Sequence, residues 1–375
     1  MQSTQRERAC LARGRVAGQV AAHYSAADFS ERSPVMRILV TGAAGFLGGY
    51  IVGELLNRGH HVVGIDNFSK YGKVGKQHDN HPHYQLVRGD CKDLELMLAM
   101  AAESDQIVAG AAMIGGISYF HKYAYDLLAE NERILATTFD AAIRSFKAGR
   151  VKKINVISSS MVFECATVFP TPEGEQLRGP PPLSTYGFQK LAAEYFARGA
   201  WEQHRLPYTI VRPFNCVGAG EGRALGDQDF SSGNVKLAMS HVLPDLVQKV
   251  LKGQNPLHIL GDGSQVRCYT HGHDLGRGIA ICIDHPAALN EDFNLSTARQ
   301  TTVLELAELV WRNVNGSDVP FRVVNDLPFE YDVQHRVPDV TKAKNRLGFV
   351  TEVTLEETVK EVVTWCRREI EAGRL

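Results

Sequence analysis

A short apolar run that leads through three glycines into a helical pattern is the feature that most constrains this chain. The run is Arg37–Thr41, the glycines are Gly42, Gly45 and Gly48, and the helical pattern covers Phe46–Asn57. Glycine allows a tight turn between the predicted strand and helix. A helix N-terminus offers free N–H groups and the positive end of the helix dipole, which suit a phosphate group. The pattern therefore predicts the first unit of a nucleotide-binding sheet.

Strand-like and helical segments alternate after this first unit. The other predicted strands are His61–Asp66, Tyr84–Asp90, Gln106–Ala112, Lys153–Ser160 and Tyr208–Phe214. The other predicted helices are Asp93–Ala102, Ala124–Phe146 and Thr185–Gln203. Because the strands are apolar throughout, helices should cover both faces of the sheet. We therefore expect an α/β fold with a Rossmann-type doubly wound parallel sheet.

The pattern loosens after Asn215, which suggests a second, smaller lobe. Gly, Asp and Ser cluster over residues 218–233 and predict a loop over a site, followed by a helix at Asn234–Lys252 and a strand at Leu257–Leu260. We expect a cofactor-binding domain at 36–215 and a mixed α/β substrate lobe at 216–375, with part of 268–297 returning to the first domain. Residues 1–35 are expected to be a disordered extension, with an organelle transit peptide as the alternative.

Composition excludes several classes of protein. The 375 residues include 41 basic and 42 acidic ones, a balance that argues against nucleic-acid or membrane-surface partners. The sequence contains no apolar run of about 18 residues, so no membrane span is expected. Its seven scattered cysteines form no Cys-x-x-Cys pair, which favours a reducing, cytoplasmic location. Histidines near His78 and His271 lack matching partners, so no metal site is expected.

The second predicted strand ends in an acid at the position that selects the cofactor. Asp66 follows Gly42 at roughly the 20-residue spacing of a carboxylate that binds the adenosine ribose hydroxyls. It would repel a 2′-phosphate, so NAD is expected rather than NADP. Asp90 could bond the adenine amino group or simply cap the next helix. The residues expected to bind NAD are Gly42, Ala44, Gly45, Phe46, Leu47, Gly48, Asp66, Asn67, Asp90, Cys91, Ala111, Tyr186 and Lys190.

A tyrosine and a lysine four residues apart are the candidate catalytic pair. Tyr186 and Lys190 would lie on one face of the predicted helix. A free tyrosine, with a pKa of about 10, is a poor base at neutral pH, but a nearby ammonium favours its phenolate form. The pair follows the glycine turn and comes one strand after Ser158, Ser159 and Ser160. This order predicts oxidation of an alcohol or reduction of a carbonyl.

From Met36 to about Trp365 the chain resembles the extended short-chain dehydrogenase/reductase family, in particular its nucleotide-sugar epimerases and dehydratases. The motifs that carry the resemblance are the glycine turn, Asp66, the serine triplet, Tyr186 with Lys190, Arg212–Asn215, Leu260–Arg267 and Arg336–Lys342. It implies that Ser159 bonds the sugar hydroxyl being oxidised. The substrate-binding residues implied by the resemblance are Ser159, Ser160, Asn215, Arg223, Arg267, Arg336 and Asp339. Arg267 and Arg336 would grip the nucleotide diphosphate, and Arg223 a sugar carboxylate.

Met161 bears on which reaction of the family is possible. The resemblance places an acid–base pair of the 4,6-dehydratases at positions 160 and 161, and a Glu of the decarboxylases or a Cys of the 3,5-epimerases at 161. A thioether cannot transfer a proton. We therefore expect epimerisation at C4 through a transient 4-keto sugar. Glu164 stands where the family commonly has glycine, and the sequence gives no reason for it.

The substrate expected first is UDP-glucuronate, giving UDP-galacturonate, because of Arg223. The alternatives are a UDP-glucose/UDP-galactose 4-epimerase, a GDP- or UDP-sugar reductase or dehydratase, and a non-catalytic NAD-sensing protein. Met113–Ile117 resembles the GDP-sugar branch, so the nucleotide stays open between UDP and GDP. The resemblance also implies a homodimer formed through the two long helices.

Overall fold

The computed structural model describes residues 34–114, 123–222, 230–232, 235–237, 241–327 and 333–375. The predicted N-terminal extension therefore lies almost wholly outside the described residues. Residues Met36–Leu375 group together as one unit by their contacts. The predicted division of this unit near residue 215 stays a prediction.

Sixteen strands and nine helices are assigned within the described residues. The strands are β1 Arg37–Thr41, β2 His61–Asp66, β3 Tyr84–Arg88, β4 Gln106–Ala109, β5 Lys153–Ile157, β6 Tyr208–Pro213, β7 Cys216–Val217, β8 Phe230–Ser232, β9 Val235–Leu237, β10 Leu257–Leu260, β11 Val266–Arg267, β12 Thr270–His271, β13 Glu291–Leu295, β14 Thr301–Thr302, β15 Val323–Asp326 and β16 His335–Arg336. The helices are α1 Phe46–Asn57, α2 Leu94–Ala101, α3 Ala124–Lys147, α4 Thr185–His204, α5 Val242–Leu251, α6 Gly272–Asp284, α7 Val303–Asn315, α8 Thr341–Leu347 and α9 Leu355–Glu371.

The large sheet has seven parallel strands in the order β3-β2-β1-β4-β5-β6-β13. This arrangement confirms the predicted Rossmann-type fold. Strand order reverses between β1 and β4, which opens a crevice at the carboxyl ends of these strands, where open α/β sheets bind ligands. The glycine turn after β1 lies at this crevice.

Alternate residues of β1 belong to two different cores, one on each face of the sheet. Ile38 and Val40 pack with α1 and α6, whereas Leu39 packs with α2, α3 and α4. Successive side chains of a strand point to opposite faces, so a strand buried on both sides must be apolar throughout. This is why the continuous apolar runs predicted the strands well.

The C-terminal part of the chain has a third core. Helices α5, α7 and α9 pack around Leu246, Val310, Val359 and Val362. Short strand pairs connect the loops here: β10 with β15, β11 with β14 and β16, and β12 with β7. Strand β13, although it comes late in the chain, pairs with β6 in the large sheet.

One predicted helix begins eight residues too early. The sequence suggested a helix from Asn234, but Val235–Leu237 forms strand β9 against β8, and helix α5 begins at Val242. Pro244 explains the difference, because proline fits the first turn of a helix but breaks its interior. The proline was the signal that the sequence interpretation overlooked.

Candidate active site

The glycine turn packs the start of α1 against the end of β1. Gly42 has a φ of 73°, and its N–H donates to the carbonyl of Ile65 at 2.9 Å. A Cβ on Gly48 would lie 2.0 Å from the Gly42 oxygen, so helix and turn approach each other only with glycine there. Gly45 caps α1 without a side-chain hydrogen bond, and the first turn holds no acid. Its backbone N–H groups therefore suit an anion.

Asp66 holds this turn against the end of β2. Its carboxylate accepts hydrogen bonds from the backbone N–H of Ala44 at 3.0 Å and of Phe68 at 2.8 Å. Ala44 is buried, whereas Phe46 and Leu47 are partly exposed at the start of α1. The structure thus brings Asp66 and the glycine turn together, as the motif predicted.

The end of β3 lies beside the end of β2 and carries two further predicted residues, Asp90 and Cys91, while Asn67 directly follows Asp66. Asn67 donates from its amide to Asp90 at 3.3 Å. Asp90 also accepts from the N–H of Lys92, but the cap of helix α2 is Asp93, whose carboxylate accepts from Leu96. The alternative role of Asp90 as a helix cap is therefore wrong. Burial raises the pKa of the Cys91 thiol to about 12, so this side chain is neutral.

The end of β4 passes close to the glycine turn. A Cβ on Gly42 would lie 2.9 Å from the Cα of Ala111. Thr41 fixes this approach, because its hydroxyl accepts from the N–H groups of Gly110 at 3.0 Å and Ala111 at 3.1 Å and donates to Val108. Sequence reasoning missed Thr41. Its place as the last residue of β1, between the two halves of the sheet, was the available signal.

Tyr186, Ser159 and Lys190 are buried together at the end of β5. Ser159 and Tyr186 are hydrogen-bonded, and the Lys190 ammonium lies 5.9 Å from the centre of the Tyr186 ring. Lys190 donates to the carbonyl of Ile157 at 3.1 Å. The structure thus assembles the three residues predicted to be catalytic.

Burial sets the protonation of this group. It raises the pKa of Tyr186, while the Ser159 hydrogen bond and the positive charge of Arg336 act to lower it. Burial also lowers the pKa of Lys190 to about 8. The sequence assigned the lowering influence on Tyr186 to Lys190. In the structure Ser159 and Arg336 exert it.

Apolar side chains also pack around Tyr186. Met161 and Leu127 pack against it, with Ile114 and Val333 alongside. Ser160 is buried at the start of a short 3-10 helix, Ser160–Phe163.

Glu164 directly follows this short helix. Its carboxylate accepts from the backbone N–H and the hydroxyl of Ser184, each at 2.9 Å. Ser184 in turn caps α4 by accepting from the N–H of Gly187 at 3.0 Å. Glu164 therefore anchors the N-terminus of the helix that carries Tyr186, which explains a residue that the sequence left unexplained.

Two arginines far apart in sequence become neighbours across two strands. Arg267 and Arg336 are register partners in the parallel pair β11–β16, so their side chains start from the same face. Arg267 is buried and donates to the carbonyls of Val266 at 2.9 Å and Gln334 at 3.3 Å. The positive charge of Arg336 also acts on Tyr186, which connects β16 with the buried tyrosine.

Asn215 carries a buried polar atom. It has a φ of 36°, its carbonyl accepts from the N–H of Thr270 at 3.1 Å, and its side-chain Oδ1 is buried without a hydrogen-bond partner among the described residues. The Asp339 carboxylate binds the backbone: it accepts a hydrogen bond from the N–H of Thr341, at the start of α8, at 2.8 Å. Arg223 lies outside the described residues.

Metal-ligand clusters and membrane-spanning helices are both absent from the described part of the chain. No cluster there of three or more His, Cys, Asp or Glu residues could hold a metal ion. His271 is the cap of α6, and its ring bonds Glu361 at 2.8 Å. None of the helices there is long and apolar enough to cross a membrane. The six cysteines in these residues are free thiols.

The glycine turn lies where the strand order of the parallel sheet reverses, and a buried tyrosine and lysine lie at the end of β5. This combination defines a nucleotide-binding enzyme of the dehydrogenase type. The model of the NAD dependent epimerase/dehydratase family matches residues 38–296. The chain belongs to this family, and the membership confirms the prediction of NAD as cofactor.

Individual relatives cover nearly the whole chain. It is 28% identical over 345 residues to a UDP-N-acetyl-alpha-D-glucosaminuronate decarboxylase of Bacillus cytotoxicus, covering 89% of this chain and 98% of the relative. The crystal structure of a UDP-glucose 4-epimerase with UDP-glucose from Thermotoga maritima matches with a TM-score of 0.74 and 29% identity, over 89% of this chain and 100% of that one. MoeE5 in complex with UDP-glucuronic acid and NAD matches with a TM-score of 0.71 and 25% identity, over 89% and 99%.

Proposed function

We propose that this protein catalyses the reversible, NAD-dependent epimerisation of a UDP-linked sugar at C4. The observation that carries the proposal is the surroundings of Tyr186. Its phenol meets a serine hydroxyl and a lysine, and Met161 and Leu127 pack against its ring. A site in which Tyr186 transfers the proton suits oxidation and re-reduction of one carbon.

The described residues fit the dinucleotide. The uncapped N-terminus of α1 provides backbone N–H groups for the pyrophosphate. Asp66 would provide carboxylate oxygens for the adenosine ribose, and Asn67, Asp90, Cys91 and Ala111 would contribute to the same dinucleotide site. When bound, NAD reversibly takes up the hydride that leaves the sugar carbon. Lys190 would bind the nicotinamide ribose.

The chain's own residues handle the proton and hold the sugar. Tyr186 takes the proton of the sugar 4-hydroxyl at its Oη and later returns it. Ser159 donates a hydrogen bond to the oxygen of that 4-hydroxyl. The Ser159 hydrogen bond and the positive charge of Arg336 stabilise the phenolate. Epimerisation requires the 4-keto sugar to present its other face while the nucleotide stays bound. Arg267 and Arg336, paired across β11 and β16, would hold the diphosphate during this turn.

Elimination and decarboxylation need a further acid or base, and the described residues around Tyr186 do not favour one. Met161 packs directly on the phenol ring. Glu164, the carboxylate nearest to Met161 along the chain, accepts hydrogen bonds from Ser184. Likeness to a decarboxylase at 28% identity therefore does not carry its reaction to this chain.

The proposed substrate is UDP-glucuronate, with UDP-glucose as the second candidate. UDP is supported by the three proteins compared above, each of which is named for or crystallised with a UDP-sugar. The uronate rests on Arg223, whose guanidinium would pair with the sugar carboxylate, and on likeness to a protein crystallised with UDP-glucuronic acid. UDP-glucose rests on likeness to the Thermotoga maritima enzyme.

A homodimer through α3 and α4 is also proposed. Both helices expose aromatic side chains: Tyr125 is 77%, Phe188 47% and Tyr195 58% exposed in the single chain. Exposed aromatic side chains are enriched at interfaces between proteins.

The test is incubation of the purified protein with UDP-glucuronate, UDP-glucose and their GDP counterparts without added cofactor. Products are followed by NMR. We expect the C4 epimer to accumulate to equilibrium with no net cofactor reduction, and Tyr186→Phe to slow this by at least ~1,000-fold. Release of carbon dioxide, a 4-keto-6-deoxy product, a requirement for stoichiometric cofactor or binding of NAD without turnover would each overturn the proposal.

A further inference from the structure

Successive turns of α4 are tied to successive residues at the carboxyl end of β5. Tyr186 bonds the side chain of Ser159, and one turn later Lys190 donates to the carbonyl of Ile157 at 3.1 Å. These two contacts involve the proposed catalytic group. Ser158, which lies between Ile157 and Ser159, takes part in neither contact and is also buried.

Ser158 makes the third contact, one turn further along the same helix. Its hydroxyl donates to Glu194 at 2.7 Å. Glu194 follows Lys190 by four residues, so Tyr186, Lys190 and Glu194 share one face of α4. Glu194 is fully buried and takes no part in the proposed reaction.

Glu194 is itself held firmly from the neighbouring strand β6. The guanidinium of Arg212 donates to both carboxylate oxygens, from Nε at 2.7 Å and from Nη2 at 2.8 Å. Arg212 is fully buried and also bonds Asp292 of β13 at 2.7 Å. Gln176 donates to the second oxygen of Glu194 at 3.0 Å. Charge-assisted, bidentate contacts of this kind are short and well oriented.

We propose that Glu194 is a positioning residue, which fixes Ser158 and thereby places Ser159 against Tyr186. Ser158 and Ser159 are joined by one planar peptide unit, so a shift of the first moves the second. Because two hydrogen bonds from Arg212 fix the Glu194 carboxylate, the position of Glu194 determines that of Ser158. The inference rests on the proposed roles of Tyr186 and Ser159.

The test replaces Ser158 with alanine in the cofactor-bound protein. The titration of Tyr186 is followed by NMR of isotope-labelled tyrosine, with the signal assigned through Tyr186→Phe. The Ser159 hydrogen bond acts to lower the pKa of Tyr186, so its weakening should raise that pKa. In turnover, kcat should fall about tenfold while KM changes less than about twofold, as expected for lost alignment in the transition state.

Gln176→Leu is the matched control. It removes a buried hydrogen bond to the same carboxylate without touching residues 157–159, so Tyr186 should titrate as in the wild type. Glu194→Gln should shift the titration as Ser158→Ala does, if the variant folds. The proposal is overturned if Ser158→Ala leaves the titration unchanged, or if Gln176→Leu shifts it equally. The titration requires no turnover, so it decides the positioning role even if no sugar nucleotide is epimerised.

Discussion

Replacing Lys190 with methionine should stabilise the cofactor-free protein while abolishing turnover. Burial lowers the pKa of Lys190 from 10.5 to about 8. Since one pKa unit corresponds to about 1.4 kcal/mol, keeping this ammonium buried costs roughly 3 kcal/mol at neutral pH. Methionine fills similar space without charge, but it leaves the carbonyl of Ile157 without its donor, at a cost of about 1–3 kcal/mol. The net gain should be about 1 kcal/mol.

The pH dependence of this gain is the sharper measurement. Below about pH 8 Lys190 is protonated in both the folded and the unfolded state, so the wild type carries the whole cost of the buried ammonium. Between about pH 8 and the unfolded pKa of 10.5 the folded state releases its proton first, so wild-type stability rises with pH. The advantage of Lys190→Met should therefore shrink by about 2–3 kcal/mol between about pH 7 and pH 10.

Denaturant unfolding of both proteins across this pH range provides the free energies. Lys360→Met, at an exposed position on α9, is the control, and its difference from the wild type should stay constant because that ammonium remains in water. If the difference between Lys190→Met and the wild type stays equally flat, the buried ammonium is not penalised and the reasoning fails.

Further variants test the turn and the buried ion pairs. Gly48→Ala should lower the free energy of unfolding by several kcal/mol, at least ~3, because its Cβ would lie 2.0 Å from the Gly42 oxygen. Gly199→Ala, in α4, adds a Cβ that would meet no other part of the protein within 4 Å, so it should instead stabilise by up to ~1 kcal/mol. Equal thermal shifts for the two variants would contradict the packing argument. Arg212 and Lys342 hold the pKa of Asp292 well below its usual range, so this carboxylate contributes stability above its unfolded pKa and loses it in acid. Asp292→Asn should therefore cost about 2–3 kcal/mol at neutral pH in urea unfolding, and a loss that does not shrink below about pH 4 would refute this assignment.

The order of strands and helices in the nucleotide-binding part was largely readable from the sequence. Helix α1 and strands β1 and β2 have the predicted bounds. Strands buried on both faces must be apolar, and the glycine turn and the acid at the end of β2 carry local signals of their own. Errors came where local pattern is ambiguous, as at Asn234, where an apolar run suited either a helix or a strand until Pro244 was considered.

The site was predictable as a set of residues and not as an arrangement. Tyr186 and Lys190 share a helical face by spacing alone, and Asp66 follows from the turn. The pairing of Arg267 with Arg336 depends on β11 and β16 lying side by side, which no local pattern encodes. The use of Glu164 as the anchor of α4 likewise needs the chain to fold back on itself.

Sequence by itself therefore determined the class of fold, the cofactor and the candidate acid–base group, because each depends on residues close together in the chain. Only the tertiary structure decided how that group is held and charged. Burial of Tyr186 and Lys190 shifts both pKa values, and Glu194 reaches Ser158 only because α4 packs along the end of β5. Desolvation and long-range hydrogen bonds arise from packing, which residues distant in the sequence create together.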